Sequence, residues 1–431
     1  MNGARRSERR LRLATGLIMA AVTAGCALLG RVAESEGDLF ARLMPLLESQ
    51  DYFRLRDALD ALPRPLPPRA LLFEAAVLHA FNSPEASLAA TRRALARPGL
   101  TAPVVARLHR LELRNALRLH DYPAAAAAVS ALLAGPTAAL DSIDRENAQD
   151  ILKFARALED VPPQQVVRER PTSLRIGSGR VTVEIRGRRR GYLLDTGAGL
   201  SVMTQTEAAS LRLAIRAAGI RIGTATDLKI EADLAVVDTL RLGGFTFTDV
   251  VFLVVPDALL RFTEEPLPGV IGFPVIEALG VVRLYRDGRM NVTSRSEPGP
   301  SGNLALHQLV PLVRVRWRDH AFVCRLDTGA TGTVMYEPFF RAHADWVEAV
   351  GRADTVRTSG LGGSRMMPAY IVPSMTLALG DTSITLLDVG VYRRQVDERD
   401  DDPLFCNIGV DALEAFEERI IDFRSMYFLL R

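Results

Sequence analysis

From residue 37 to about 160, apolar side chains recur at three- and four-residue spacing, as in Leu39, Leu43, Leu46 and Leu47, then Leu55, Leu59 and Leu62. That period puts them on one face of a helix and predicts an all-α domain over 37–160. Gln50-Asp51-Tyr52, Phe81-Asn82-Ser83-Pro84 and His120-Asp121-Tyr122-Pro123 interrupt the pattern, each opening a new helix. Val161-Pro162-Pro163-Gln164-Gln165 ends it. Beyond, Val181, Val183 and Ile185 alternate with Thr182, Glu184 and Arg186, the period-two pattern of a half-buried strand. A Pro-, Gly- and Ser-rich linker over 294–303 separates two β-rich segments of similar length, 175–293 and 304–431.

The two segments repeat each other. Leu193-Leu194-Asp195-Thr196-Gly197-Ala198 in the first returns as Arg325-Leu326-Asp327-Thr328-Gly329-Ala330 in the second. A string such as Asp-Thr-Gly-Ala is expected about a hundredth of a time in a chain of this length, so two copies point to duplication. With Asp195 placed on Asp327, Val183 falls on Val315. Leu240-Arg241-Leu242-Gly243 answers Leu377-Ala378-Leu379-Gly380, and from each Gly 29 residues lead to the Gly of Val270-Ile271-Gly272 or Asn407-Ile408-Gly409. Each of these ends opens a short helix-like run, 273–279 and 410–416.

With 431 residues, 48% hydrophobic and 24% charged, the chain can bury several cores and is not of the disordered class. The formal charge of +2 comes from Arg5, Arg6, Arg9, Arg10 and Arg12; without the first 26 residues 48 basic and 50 acidic residues remain. Lacking a basic excess or an aromatic-basic motif, the chain has no signature of nucleic-acid binding. The arginine-rich start, an apolar run over 13–24 and Thr23-Ala24-Gly25-Cys26 read as an export signal over 1–26. Its end resembles the bacterial lipobox, with Thr23 where Leu is usual. That resemblance implies lipid attachment at Cys26 and a chain tethered to a membrane of the bacterial cell envelope, on the periplasmic or extracellular face. The alternative is a plain cleavable signal or an uncleaved anchor.

Cys324 and Cys406 each stand three residues before a repeat landmark, and their counterparts in the first segment are Tyr192 and Gly269, a large residue against a small one. The two positions are compatible with facing each other, so the cysteines either form a disulfide in an oxidising compartment or stay as buried thiols. The six histidines show no H-E-x-x-H or comparable spacing, and neither metal nor cofactor is expected.

Both β segments resemble the lobes of retropepsin-like aspartic peptidases: an Asp-Thr-Gly loop, a hairpin flap, and a late hydrophobic-hydrophobic-Gly element. The resemblance covers most of 175–431 and implies an all-β bilobal acid-protease fold with two homologous lobes on one chain, behind the helical domain. It implies that Asp195 and Asp327 form a catalytic pair sharing one proton. It also implies that Thr196 and Thr328 bond across the two loops, that Gly197 and Gly329 let them approach closely, and that Gly272 and Gly409 pack nearby. One flap is expected at Gly360, Gly362 and Gly363, between Ser359 and Ser364; the other over 220–236, turning near Thr226 and Asp227. The helical domain loosely resembles tetratricopeptide-type repeats, its breaks lying 31 and 39 residues apart, and a generic helical bundle fits equally. The expected function is an aspartic endopeptidase acting on peptide or protein substrates, its helical domain positioning substrate or a protein partner; the alternative is a non-cleaving lipoprotein that binds peptides or partners as an adaptor.

Overall fold

The computed structural model describes residues 36–135, 140–223, 229–261, 266–293, 295–296, 302–396 and 403–431. Cys26, most of the linker 294–303 and the expected turn at Thr226 and Asp227 lie outside the described residues. The chain divides after Met44 into two compact units, helix α1 (Glu36–Glu48) spanning the division. No described helix is long and apolar enough to cross a membrane.

Among the described residues the N-terminal region continues with the α-helices α2 (Tyr52–Asp60), α3 (Leu71–Ala80), α4 (Pro84–Leu95), α5 (Ala102–Arg118), α6 (Tyr122–Ala134) and α7 (Ser142–Arg156). The three expected breaks share one device. Gln50, Asn82 and His120 take left-handed φ values of 56°, 57° and 53°, turning the chain out of one helix and into the next. Asp51 and Asp121 then cap the new helices, accepting from the backbone N–H of Arg54 and Ala124 at 3.0 Å. The region is fastened to the β body through buried Arg118, which pairs with Glu277 and donates to the His79 carbonyl, and through the Asn82 amide, which donates to the Phe423 carbonyl at 2.6 Å.

The first lobe contains β1 (Gln165–Arg168), β2 (Thr172–Arg175), β3 (Arg180–Ile185), β4 (Arg188–Leu194), β5 (Ser201–Thr204), α8 (Gln205–Ser210), β6 (Ile215–Ile222) and β7 (Ile230–Val237). It continues with β8 (Leu240–Leu242), β9 (Phe245–Thr248), β10 (Val250–Val255), β11 (Gly269–Ile271), α9 (Phe273–Ala278), β12 (Val281–Tyr285) and β13 (Arg289–Thr293). The second lobe begins with β14 (Leu304–His307), β15 (Val310–Trp317), β16 (His320–Leu326), β17 (Val334–Met335), α10 (Glu337–Ala342) and α11 (Ala344–Val350). There follow β18 (Arg352–Gly360), β19 (Gly363–Leu379), β20 (Thr382–Tyr392), β21 (Cys406–Ile408), α12 (Val410–Leu413), β22 (Glu418–Asp422) and β23 (Tyr427–Leu430).

The duplication read from the sequence is present in the strand order. Lobe one runs β3-β4-β11-β5-β10-β7-β6, and lobe two β15-β16-β21-β17-β20-β19-β18. In each, the strand carrying the Asp loop pairs in parallel with the strand of the Ile-Gly landmark, β4 with β11 and β16 with β21. Gly243 and Gly380 sit at φ +57° and +61° in equivalent hairpin turns. This is the expected fold class, a helical region followed by a bilobal β body.

Two boundaries differ from the sequence reading. The first lobe's sheet begins at Gln165 rather than 175, because β1 adds to β9 at its edge. The lobes are also not separated by the linker alone: β2, β13, β12, β22 and β23 form one sheet in which strands of both segments pair, Val282 opposite Ile421. Its central strands are apolar on both faces, Val282 and Ile421 facing the main core while Val281, Ile420 and Tyr427 cluster on the other side.

Candidate active site

Leu193 and Leu194 are buried at the end of β4, and the chain then turns out of the sheet so that Asp195 is half-buried at the tip. Asp327 leaves β16 in the same way. Each turn is tied to the landmark strand beside it: Asp195 N–H donates to the Ile271 carbonyl at 3.1 Å, and Asp327 N–H to that of Ile408 at 3.0 Å. The glycines that follow, Gly272 and Gly409, leave no room for a Cβ against the backbones of Leu200 and Gly332.

Thr196 and Thr328 join the two loops. The Thr196 hydroxyl accepts the Thr328 N–H at 3.0 Å and donates to the Leu326 carbonyl at 2.8 Å. The Thr328 hydroxyl accepts the Thr196 N–H at 3.1 Å and donates to the Leu194 carbonyl at 3.0 Å. Two orphan N–H groups and two carbonyls are thereby satisfied across the lobe boundary, fixing the separation of the loops.

Gly197 and Gly329 have a sharper reason to be glycine than turn formation. A Cβ on Gly197 would stand 2.7 Å from Cγ of Asp327, and one on Gly329 would collide with the carboxyl of Asp195. Each glycine makes space for the carboxyl of the other lobe.

Each carboxyl lies against the glycine loop of the other lobe, close enough for the two to interact. Burial first, and then the neighbouring charge of Asp327, push the Asp195 carboxyl well above the usual carboxylate range; the backbone N–H groups of Gly197 and Ala198 pull the other way. Gly197 N–H donates to Asp195 Oδ1 at 2.8 Å. On Asp327, Oδ1 accepts from Gly329 and Ala330 N–H at 2.9 and 3.0 Å, and Oδ2 accepts from the Asn407 side-chain amide at 3.0 Å. The sequence reading used Asn407 only as part of a landmark and assigned it no role. The available signal was a polar residue aligned with Val270.

The hairpins differ. In lobe two, Gly360 pairs with Gly363 around a turn at Leu361 and Gly362, with Gly362 and Gly363 at φ 95° and 102°. Leu361 at its tip packs against a cluster of the first lobe that includes Leu193, Val202 and Val270. In lobe one the hairpin starts at Ile215, earlier than the expected 220, and is bound to the helical region. Arg221 donates to Asp150 and Glu146 at 3.1 and 3.0 Å, Lys229 to Glu146 at 2.8 Å, and Arg216 to Asp160 at 2.9 Å.

Cys324 and Cys406 face each other in register on β16 and β21 and form a disulfide, with Cα atoms 4.7 Å apart. In lobe one the ring of Tyr192 fills the space over Gly269. Among the described residues, no group of three His, Cys, Asp or Glu side chains is placed to hold a metal ion. A surface hollow of about 430 Å³ lined by Arg316, Trp317, Arg318 and Trp346 includes no residue of either Asp loop.

Residues 181–275 match the family model described as aspartyl protease, a stretch that includes Asp195 and ends before the second lobe. No curated protein matches the chain. Among solved structures, the chain is similar to a retropepsin-like aspartic protease from Rickettsia conorii, with 14% identity over 30% of this chain and 92% of that one, at a TM-score of 0.22. The aspartyl protease match falls on the first of the two lobes that the sequence reading aligned.

Proposed function

We propose that the chain is an aspartic endopeptidase of the bacterial cell envelope that hydrolyses peptide bonds with a water activated by Asp195 and Asp327. The observation that carries this reading is the meeting of the two carboxyls under the reciprocal Thr196 and Thr328 bonds, with Asp195 raised by burial and by its partner's charge. Two carboxyls so close hold one proton between them. The ionised one removes a proton from a water as its oxygen attacks the scissile carbonyl carbon, and the protonated one gives its proton to the carbonyl oxygen. Collapse of the resulting diol breaks the C–N bond, the amine takes up a proton, and the pair is restored with one proton. The lobe-two hairpin, with its glycine turn reaching lobe one, excludes water over the bound peptide. The helical region braces the hairpin of lobe one, and lipid at Cys26 tethers the chain to the membrane.

The test is incubation of the full-length chain in detergent with a diverse peptide library from pH 3 to 8, products being read by mass spectrometry. Cleavage on the acidic side of neutrality is the expected result. Absence of cleavage at every pH contradicts the reading in favour of a peptide-binding adaptor. For the anchor, metabolic acyl labelling should be lost in Cys26→Ser; a parent chain that takes no label removes that part of the proposal.

A further inference from the structure

Val270 and Asn407 occupy equivalent places, each one residue before the Ile-Gly whose carbonyl ties down an Asp loop. Valine suits a buried position in a strand. Asparagine does not, and Asn407 is only 6% exposed. Its Oδ1 is buried without a hydrogen-bond partner, a desolvation cost that the valine of lobe one does not carry. Its Nδ2 donates to Asp327 Oδ2 at 3.0 Å, so both oxygens of Asp327 accept N–H groups, while Val270 offers Asp195 no donor.

We infer that Asn407 is a positioning residue that breaks the equivalence of the two carboxyls, holding Asp327 as the ionised member and leaving the shared proton on Asp195. The inference rests on the aspartic peptidase reading and deepens it. An amide N–H donated to a carboxylate stabilises the charged form and is lost as a donor when that oxygen takes the proton. In the reaction, Asp327 is then the base that takes the proton of the water, and Asp195 the acid that meets the scissile carbonyl oxygen.

Carboxyl carbon NMR titration tests this without requiring cleavage. On an Asp195→Asn background, where Asp327 titrates alone, adding Asn407→Val should raise its midpoint by about one pH unit, while Asn407→Thr, whose hydroxyl can donate, should restore part of the shift. In the chain with both Asp residues, Asn407→Val should move the acid limb of kcat/KM up by the same amount, roughly a tenfold loss on that side. Val270→Asn supplies the converse, lowering the midpoint of Asp195 on an Asp327→Asn background, and it reports even where the Asn407 variants fail to fold. An unchanged Asp327 midpoint in Asn407→Val, or an unchanged Asp195 midpoint in Val270→Asn, overturns the inference. A parent chain that cleaves nothing but shows the NMR shifts contradicts the peptidase reading and leaves the role of Asn407 standing.

Discussion

The two lobes share strand order, loop sequence and the bonds that tie each Asp turn to its neighbouring strand, yet they differ at three places beside those loops. Lobe two has a disulfide where lobe one has Tyr192 over Gly269, an amide at Asn407 where lobe one has Val270, and a glycine-tipped hairpin where lobe one has a hairpin bound to a helix. The shared features are those needed to bring two carboxyls together. Of the differing ones, the amide at Asn407 is the feature on which the inferred placement of the proton rests. Duplication accounts for what the two loops share, and divergence of the copies for the features beside them that differ.

The largest effects should come where the lobes are alike. Gly197→Ala and Gly329→Ala each drive a methyl into the opposite carboxyl, and each should lower kcat/KM by at least about a hundredfold, the scale of an ångström misplacement of reacting groups. A mild effect in one and not the other would show the loops to be less equivalent than their bonding. Next comes the disulfide. Its loss in a Cys324→Ser, Cys406→Ser chain should cost roughly 2–5 kcal/mol in urea denaturation, with faster amide exchange in β16 and β21 and none added in β4 and β11. Equal acceleration in both lobes would contradict an asymmetric staple.

Thr196→Val and Thr328→Val each remove one hydroxyl that bonds twice across the boundary, at a cost of about 1–3 kcal/mol. The loss should be larger for Thr196, which is 1% exposed. Stabilities measured side by side in urea test the order.

The smallest effect concerns the lobe-one hairpin. Its Glu146 contact, first through Lys229 and then Arg221, and its Asp160 contact through Arg216 hold both carboxyls below their usual range. These pairs are therefore fully formed above the ordinary Asp and Glu values near 4, and are lost only as pH falls through the lowered ones. Because they are exposed, salt also weakens them. Amide exchange over β6 and β7 should quicken a few-fold at high salt or in Glu146→Gln, whereas β18 and β19 should not respond.

Much of this was legible in the sequence because it repeats or has a fixed period. The Asp-Thr-Gly loops, the 29-residue spacing and the compatibility of positions 324 and 406 with facing each other follow from comparing one segment with the other, and the turn at 360–363 from the family resemblance and its glycines. What escaped depends on partners that no local pattern encodes. Arg221 meets Asp150 from 71 residues away, and β12 meets β22 across most of a lobe. The part of Asn407 is not legible locally, because its amide partner Asp327 lies 80 residues away. The resemblance implies close approach of the loops at Gly197 and Gly329, but the atoms those glycines avoid are carboxyls of the other lobe, which no local pattern names.

The central claim is that one chain folds two half-sites into a single active site. It is tested most directly by assaying peptide cleavage by Asp195→Asn and Asp327→Asn, separately and mixed in equal amounts. The expected result is that neither variant cleaves and that mixing restores nothing, since each chain needs both of its own carboxyls. Cleavage by either variant alone, or recovery of activity on mixing, would contradict the account.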